Sequence, residues 1–209
     1  MKTRYFAILF FALLCAGCGQ TSVSPSAPSA DVKTVPSPSV TQKSKLVAPI
    51  SSPFSRITKK PFGIYITKQN SPVRPEKFSG YHTGVDFETF DEEKDADVPV
   101  FAVCDGKLLE KKIATGYGGV AVQSCKIDAV NVTIICGHLK LDSISLKVGD
   151  DVKTGQQIGI LGKGYSAETS GERKHLHFGV HKGSTINILG YVQKQSDLNN
   201  WLDAEKYLR

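Results

Sequence analysis

From residue 46 onward the sequence consists of short apolar runs separated by Gly, Pro, Asn and Asp. Almost no stretch before the C-terminus repeats its apolar residues at the helical period, whereas runs of this length suit β-strands. The sequence therefore predicts a mostly β fold. The candidate strands are residues 84–89, 100–111, 118–125, 130–138, 157–161 and 175–181.

Two local patterns add detail to this fold. The short connection 126–129 joins the third and fourth candidate strands, which predicts an antiparallel hairpin. The stretch 198–208 is expected to form a short C-terminal helix that packs one face against the sheet. That face would carry Leu198, Trp201, Leu202 and Leu208.

The first 17 residues have the layout of a secretory signal peptide. Lys2 and Arg4 precede a short apolar run, and small residues follow it. The run is too short to span a bilayer as a permanent helix. Residues 14–18 (LCAGC) resemble a bacterial lipobox, which implies that Cys18 becomes a lipid-modified first residue. Simple secretion is the alternative, because Cys15 stands where a lipobox prefers an aliphatic residue.

Residues 18–45 are predicted to be a disordered tether. They contain seven Ser, four Pro and three Thr and no aromatic residue, so they cannot bury enough apolar surface to fold. The folded domain is accordingly expected over residues 46–209. The protein would be exported and anchored by lipid to a membrane, on the periplasmic or extracellular side.

The charge of the expected domain is nearly balanced. Residues 46–209 contain 21 Lys plus Arg and 19 Asp plus Glu. Binding to nucleic acid needs a strongly basic face, and this composition does not provide one. Nucleic acid is therefore not an expected partner.

Three cysteines would remain after export into a compartment in which disulfides persist: Cys104, Cys125 and Cys136. If the strand that begins near residue 103 pairs antiparallel with 118–125, then Cys104 and Cys125 come close enough to form a disulfide. Cys136 is then expected to be free and buried.

Four of the five histidines fall in positions that suit a shared metal site. His175 and His177 are two apart in a candidate strand, so both side chains point to one face. His82 and Asp86 frame a second short segment. Imidazole and carboxylate groups from two segments can converge on one zinc ion, and three protein ligands leave a fourth position for water.

Three motifs carry a resemblance to a known family. They are residues 80–87 (GYHTGVDF), residues 137–139 (GHL) and residues 175–178 (HLHF). Together they resemble the lysostaphin and LytM family of zinc metallopeptidases, which cut peptide bonds in bacterial peptidoglycan. The resemblance covers roughly residues 61–180.

The resemblance implies a small antiparallel β domain with the metal in a groove and one Zn²⁺ per chain. It makes His82, Asp86 and His177 the zinc ligands. His138 and His175 become the catalytic pair that handles the water and the reacting amide. The sequence has no H-E-x-x-H helix to offer a glutamate base, and histidines titrate in the range that proton transfer needs.

Other functions fit these residues less well. Some members of the family have lost ligand residues and act as silent wall-binding activators of other hydrolases, whereas this sequence keeps all five positions. A structural zinc domain would prefer four ligands rich in cysteine.

Cys136, expected on the same face as His138, is an alternative nucleophile, but that role leaves the other motifs unexplained. The charged approach GERK at 171–174 departs from the family pattern, which bears on what enters the groove.

Overall fold

The computed structural model describes residues 45–209. The predicted signal peptide, the tether up to residue 44 and the proposed lipid site Cys18 lie outside these described residues. Within residues 45–209, no helix is long and apolar enough to cross a membrane.

The described chain is built mainly from β-strands, and its helical segments are short 3-10 turns. The strands are β1 (Tyr65–Ile66), β2 (Gly80–His82), β3 (Gly84–Glu88), β4 (Pro99–Phe101), β5 (Gly106–Ala114), β6 (Gly118–Ile127), β7 (Val130–Leu139), β8 (Asp151–Val152), β9 (Gln157–Ile160), β10 (His175–Lys182) and β11 (Tyr191–Val192).

Three sheets organise these strands. The largest has six strands in the order β3-β10-β7-β6-β5-β8, and its neighbours pair antiparallel. A three-stranded sheet has the order β1-β2-β11, and β4 pairs with β9. The predicted mostly β, antiparallel fold is confirmed.

The predicted hairpin between β6 and β7 is also confirmed, and its turn is tighter than expected. Ile127 pairs with Val130, so only Asp128 and Ala129 form the loop. Both residues have positive φ, 49° and 66°. Two consecutive residues in this region give a turn whose twist matches that of the paired strands.

The single strand predicted over 100–111 is wrong. The chain forms β4 and β5 there, in two different sheets. Gly106 opens β5, and a Cβ at this position would lie 1.9 Å from the carbonyl oxygen of Ser124. The chain therefore enters the large sheet through an approach that only glycine permits, after the bend at Asp105.

The expected C-terminal helix consists of two short 3-10 segments, Gln195–Asn200 and Ala204–Lys206. Between them Trp201 forms a β-bridge with His181, and the Leu202 amide donates to the carbonyl oxygen of Val180 at 2.8 Å. The backbone of this region is hydrogen-bonded to the edge of β10, so a continuous α-helix cannot form.

The two faces of the six-stranded sheet have different roles. The main apolar core covers one face, with Phe87, Leu176 and Phe178 fully buried at its centre. The other face carries a smaller apolar cluster around Val120, Ile135 and Trp201. The polar residues of the histidine motifs lie on this second face, beside that cluster.

Cys104 and Cys125 form a disulfide with a Cα–Cα distance of 6.0 Å, and Cys136 is free and buried, as predicted. The bridge closes a loop with a sequence separation of 21 residues. Chain-entropy arguments assign about 3 kcal/mol of stability to a loop of this size.

We expect the double variant Cys104→Ala/Cys125→Ala to lose about 3 kcal/mol of unfolding free energy in urea. Dithiothreitol should destabilise the wild-type protein by a similar amount and leave the variant unchanged. A wild-type protein insensitive to the reductant would contradict a stabilising role for the bridge.

Candidate metal centre

Strand register places three of the motif residues together. His177 on β10 lies directly opposite Asp86 on β3, so their side chains share one face of the sheet. His175 lies opposite Glu88 in the same way. His82 ends β2, and a single residue, Thr83, separates it from β3. Its side chain reaches the same place from the neighbouring sheet.

The ligand atoms of these residues form a nearly equilateral triangle. His82 Nε2 lies 3.1 Å from His177 Nδ1 and 3.3 Å from Asp86 Oδ1, and His177 Nδ1 lies 3.2 Å from the same oxygen. Zinc–ligand distances near 2.05 Å place tetrahedral vertices about 3.3 Å apart. The triangle therefore fits three ligands of one tetrahedral zinc ion.

The proton positions also suit a cation. His82 Nδ1 faces the carbonyl oxygen of Pro61 at 3.2 Å and must donate to it, so Nε2 presents its lone pair to the triangle. The other nitrogen of His177, Nε2, is buried and has no partner within residues 45–209. At most one proton can be shared among the three acceptor atoms of the triangle. A cation at its centre would interact favourably with all three.

Burial and charge keep these groups in the forms that bind metal. Burial lowers the pKa of His177 to about 4, so its imidazole is neutral at pH 7. Burial alone would raise the pKa of Asp86. The imidazoles of His175 and His82 outweigh that effect and hold the pKa of Asp86 well below its usual range.

A β-bulge brings His138 to the site. Gly119 pairs with Leu139 and Val120 with Gly137, so His138 is the extra residue on β7. Its φ is 64°, an uncommon value for a residue with a side chain. Without the bulge His138 would point into the main core, on the face opposite to His177.

His138 and His175 form a second pair next to the triangle, with ring centroids 4.3 Å apart. His138 Nδ1 donates to the carbonyl oxygen of Tyr117 at 2.9 Å, and His175 Nδ1 donates to that of Arg173 at 2.9 Å. His138 therefore has Nε2 available as an acceptor, whereas His175 Nε2 lies 3.3 Å from Asp86 Oδ2. Burial, followed by the charge of His175, lowers the pKa of His138 well below its ordinary value.

The same bulge corrects the expectation that Cys136 shares the face of His138. Cys136 points into the main core and is 2% exposed. Burial raises the pKa of its thiol to about 12, which keeps it protonated at neutral pH. A nucleophilic role for Cys136 is therefore excluded by its position.

Sequence reasoning did not assign a partner to Arg173. Its guanidinium donates to Asp86 Oδ2 at 2.9 Å and to both oxygens of Glu88. Asp86 Oδ2 also lies 3.3 Å from His175 Nε2, so that oxygen is already paired and Oδ1 faces the triangle. In the chain, Arg173 precedes His175 by two residues, but its side chain acts on a different strand.

The site lies in a groove of about 590 Å³. One wall is the end of the β5–β6 hairpin, and the other is formed by residues 188–191 together with Phe78. Exposed apolar side chains, Ile113 and Leu189, stand on the rim. The groove is large enough for several residues of an extended peptide.

Gly84 allows the close contact between the strands that carry Asp86 and His177. A Cβ at Gly84 would lie 2.5 Å from the carbonyl oxygen of Phe178 and 2.9 Å from the His177 ring. We expect Gly84→Ala to lower the unfolding free energy by about 1–3 kcal/mol, as overpacking does. Gly179→Ala is the matched control, since its nearest contact is 3.4 Å. Equal thermal stability of the two variants would contradict this constraint.

Comparison with known proteins adds a family match. The model of Peptidase family M23 matches residues 80–188, which is more than half of the chain. The matched segment includes all five histidine and aspartate positions described above.

Individual relatives match over regions of similar length. The glycyl-glycine endopeptidase ALE-1 of Staphylococcus capitis is 36% identical over 100 residues, 47% of this chain and 24% of that protein. An uncharacterized metalloprotease of Buchnera aphidicola subsp. Baizongia pistaciae is 30% identical over 119 residues, 56% of this chain and 26% of that protein. The chain thus spans about a quarter of the length of either relative.

Among solved structures, the SpoIIQ–SpoIIIAH pore-forming complex contains a chain with a similar fold. The TM-score is 0.52 at 19% identity, and the alignment covers 79% of this chain and 91% of that one. At this identity the likeness describes the fold alone.

Proposed function

The chain belongs to Peptidase family M23, and on that premise we propose that it is a zinc endopeptidase that hydrolyses peptide bonds of bacterial peptidoglycan. The observation that carries the proposal is the triangle of His82, Asp86 and His177 beside a second pair of histidines, His138 and His175. A metal-binding triangle with an adjacent proton carrier is the arrangement that metal-assisted hydrolysis needs.

When bound, zinc would supply Lewis-acid polarisation of the scissile carbonyl and activation of water. His82, Asp86 and His177 would hold it. The groove would align an extended peptide across this centre, with its reacting amide next to the histidine pair. The proton transfers would be carried out by side chains of the protein.

His138 is suited to accept a proton from the attacking water. Its imidazole is buried and neutral at pH 7, and its Nε2 is not used by the Tyr117 hydrogen bond. His175 lies in ring contact with His138, and either imidazole, once protonated, can donate a proton to the leaving amine. Arg173 and Glu88 keep the Asp86 carboxylate oriented while this happens.

The alternative of a silent wall-binding activator has less support. Loss of the metal would remove the need for a ligand triangle with sides of 3.1–3.3 Å. It would also remove the need for the strained backbone of His138, because strain of this kind persists where a site requires it. Both features are retained in this chain.

Export and lipid anchoring at Cys18 form a further part of the proposal, supported by the sequence of residues 1–18 alone. Mass spectrometry of the mature N-terminus from a bacterial host tests it. A diacylated Cys18 is expected, and an unmodified terminus within residues 18–45 would exclude the anchor.

Digestion of purified peptidoglycan by the full-length protein tests the proposed activity. New peptide amino termini should appear, identified by mass spectrometry, without new reducing sugar ends. Tight binding to the wall with no new termini would favour the activator instead. New reducing ends would indicate a glycosidase and exclude the proposal.

A further inference from the structure

Tyr191 occupies the groove wall next to the candidate metal centre. On β11 it pairs with His82 of β2, and residues directly opposite each other place their side chains on one face. The ring centroids of Tyr191 and His82 are 5.2 Å apart. Phe78 stacks on Tyr191 with ring centroids 5.9 Å apart and an interplanar angle of 17°. The phenol is therefore held between His82 and Phe78.

A buried lysine fixes the tyrosine hydroxyl. Lys60, which is 3% exposed, donates from Nζ to the Tyr191 oxygen at 3.0 Å and to Glu76 Oε2 at 2.6 Å. An ammonium group can only donate, so the Tyr191 oxygen is the acceptor in this bond. The hydroxyl proton must therefore point in another direction.

Glu76 anchors the lysine in turn. Its Oε2 accepts a hydrogen bond from the Ser71 hydroxyl at 2.7 Å, and its Oε1 accepts from the backbone amides of Lys77 and Phe78 at 3.1 Å each. The Lys60 ammonium thus has a fixed position under the tyrosine. Its charge draws electron density from the hydroxyl oxygen and makes the O–H a stronger donor.

The hydroxyl proton has no acceptor in the described part of the chain. The bond from Lys60 is the only hydrogen bond of the Tyr191 side chain within residues 45–209. A polarised donor without an acceptor, in the wall of a groove next to His82, is suited to bind an oxygen atom of a ligand.

We propose that the Tyr191 hydroxyl, polarised by Lys60, donates a hydrogen bond to the scissile carbonyl oxygen and stabilises the negative charge that develops there. This inference rests on the proposed peptidase function. When water adds to the carbonyl carbon, the electron pair of the carbon–oxygen double bond moves to that oxygen. Tyr191 keeps its proton throughout, so the reaction needs no further reagent.

The energetic effect of such a donor is known in general terms. A preorganised hydrogen bond to a developing oxyanion contributes on the order of a hundredfold or more to kcat. Its effect on KM is small, because the charge is absent from the bound substrate. If Tyr191 served only in packing, its replacement would change the stability of the protein. It would not lower kcat while leaving KM unchanged.

The test uses full-length, zinc-loaded protein and two measurements. Inorganic phosphate, a tetrahedral oxyanion, serves as a probe whose binding calorimetry can follow without any turnover. We expect Tyr191→Phe to weaken phosphate binding about tenfold, as loss of one charge-assisted hydrogen bond does. On peptidoglycan, the same variant should lose about a hundredfold in kcat with unchanged KM. Zinc content and melting temperature should remain those of the wild type.

Two further variants control the result. Tyr65→Phe removes a hydroxyl from a half-exposed tyrosine on β1, outside the groove, and should change neither measurement. Lys60→Gln keeps a donor to Glu76 without the charge, and should give part of the loss seen in Tyr191→Phe. In the double variant the two effects should not add, because both act through one hydroxyl.

The outcomes separate this inference from the proposed function. Phosphate affinity equal in Tyr191→Phe and wild type overturns the role of Tyr191, whether or not the protein cleaves peptidoglycan. If the wild type releases no new amino termini, the proposed function fails, and the role of Tyr191 in catalysis fails with it. A weaker phosphate complex together with a loss confined to kcat supports both.

Discussion

Asp86→Ala is expected to abolish zinc binding and hydrolysis together. The variant removes the one anionic member of the triangle and leaves two imidazoles, His82 and His177, facing each other at 3.1 Å. Loss of a group that merely orients a metal ligand already costs about 10–100-fold in affinity. Loss of the ligand itself should exceed that, so zinc should be absent from the variant after dialysis.

Metal analysis by mass spectrometry and the release of amino termini from peptidoglycan measure the two effects. Asp151→Ala is the matched control, because Asp151 is an exposed carboxylate on β8, outside the groove. It should retain one zinc per chain and full turnover. An Asp86→Ala protein that keeps its zinc would show that the metal lies elsewhere.

Replacement of His138 or His175 by alanine should separate turnover from metal binding. All three atoms of the triangle remain in either variant, so one zinc per chain should stay bound. Turnover should fall on the order of a hundredfold or more, the usual contribution of a positioned acid or base. The fifth histidine, His181, lies on β10 against Trp201 and outside the groove, so His181→Ala should keep normal turnover.

Zinc content also tests the assignment of roles within the HLHF motif. If His175→Ala lost its zinc and His177→Ala retained it, ligand and helper would have to be exchanged. Normal turnover in both His138→Ala and His175→Ala would show that the protein needs no histidine proton carrier.

Much of this architecture could be predicted from local sequence. Alternating residues on one strand fix the common face of His175 and His177, and that rule needs no knowledge of the partner strand. The hairpin of β6 and β7 follows from two strand-like runs separated by a short connection. The pairing of Cys104 with Cys125 follows from the antiparallel neighbours β5 and β6.

Other features depend on register or on contacts distant in sequence. The bulge at His138 arises from the pairing of β7 with β6, and simple alternation placed Cys136 on the wrong face for that reason. The positive φ at His138 gives no signal in the sequence, because positions with positive φ are usually occupied by glycine.

Contacts between side chains that are distant in sequence could not be predicted either. The bond from Lys60 to Tyr191 joins residues 131 positions apart, and that from Arg173 to Asp86 joins residues 87 apart. Lys60, Arg173 and Asp86 belong to residue types that are more often solvated than buried. Only the fold brings them together next to the metal centre.

Zinc titration of the metal-free protein on purified peptidoglycan tests the central claim most directly. The rate at which new amino termini appear should be near zero without metal. It should rise linearly with added zinc and level off at one equivalent per chain, while the metal-free Asp86→Ala protein stays inactive throughout. A metal-free wild-type protein that releases amino termini at the full rate would contradict the account.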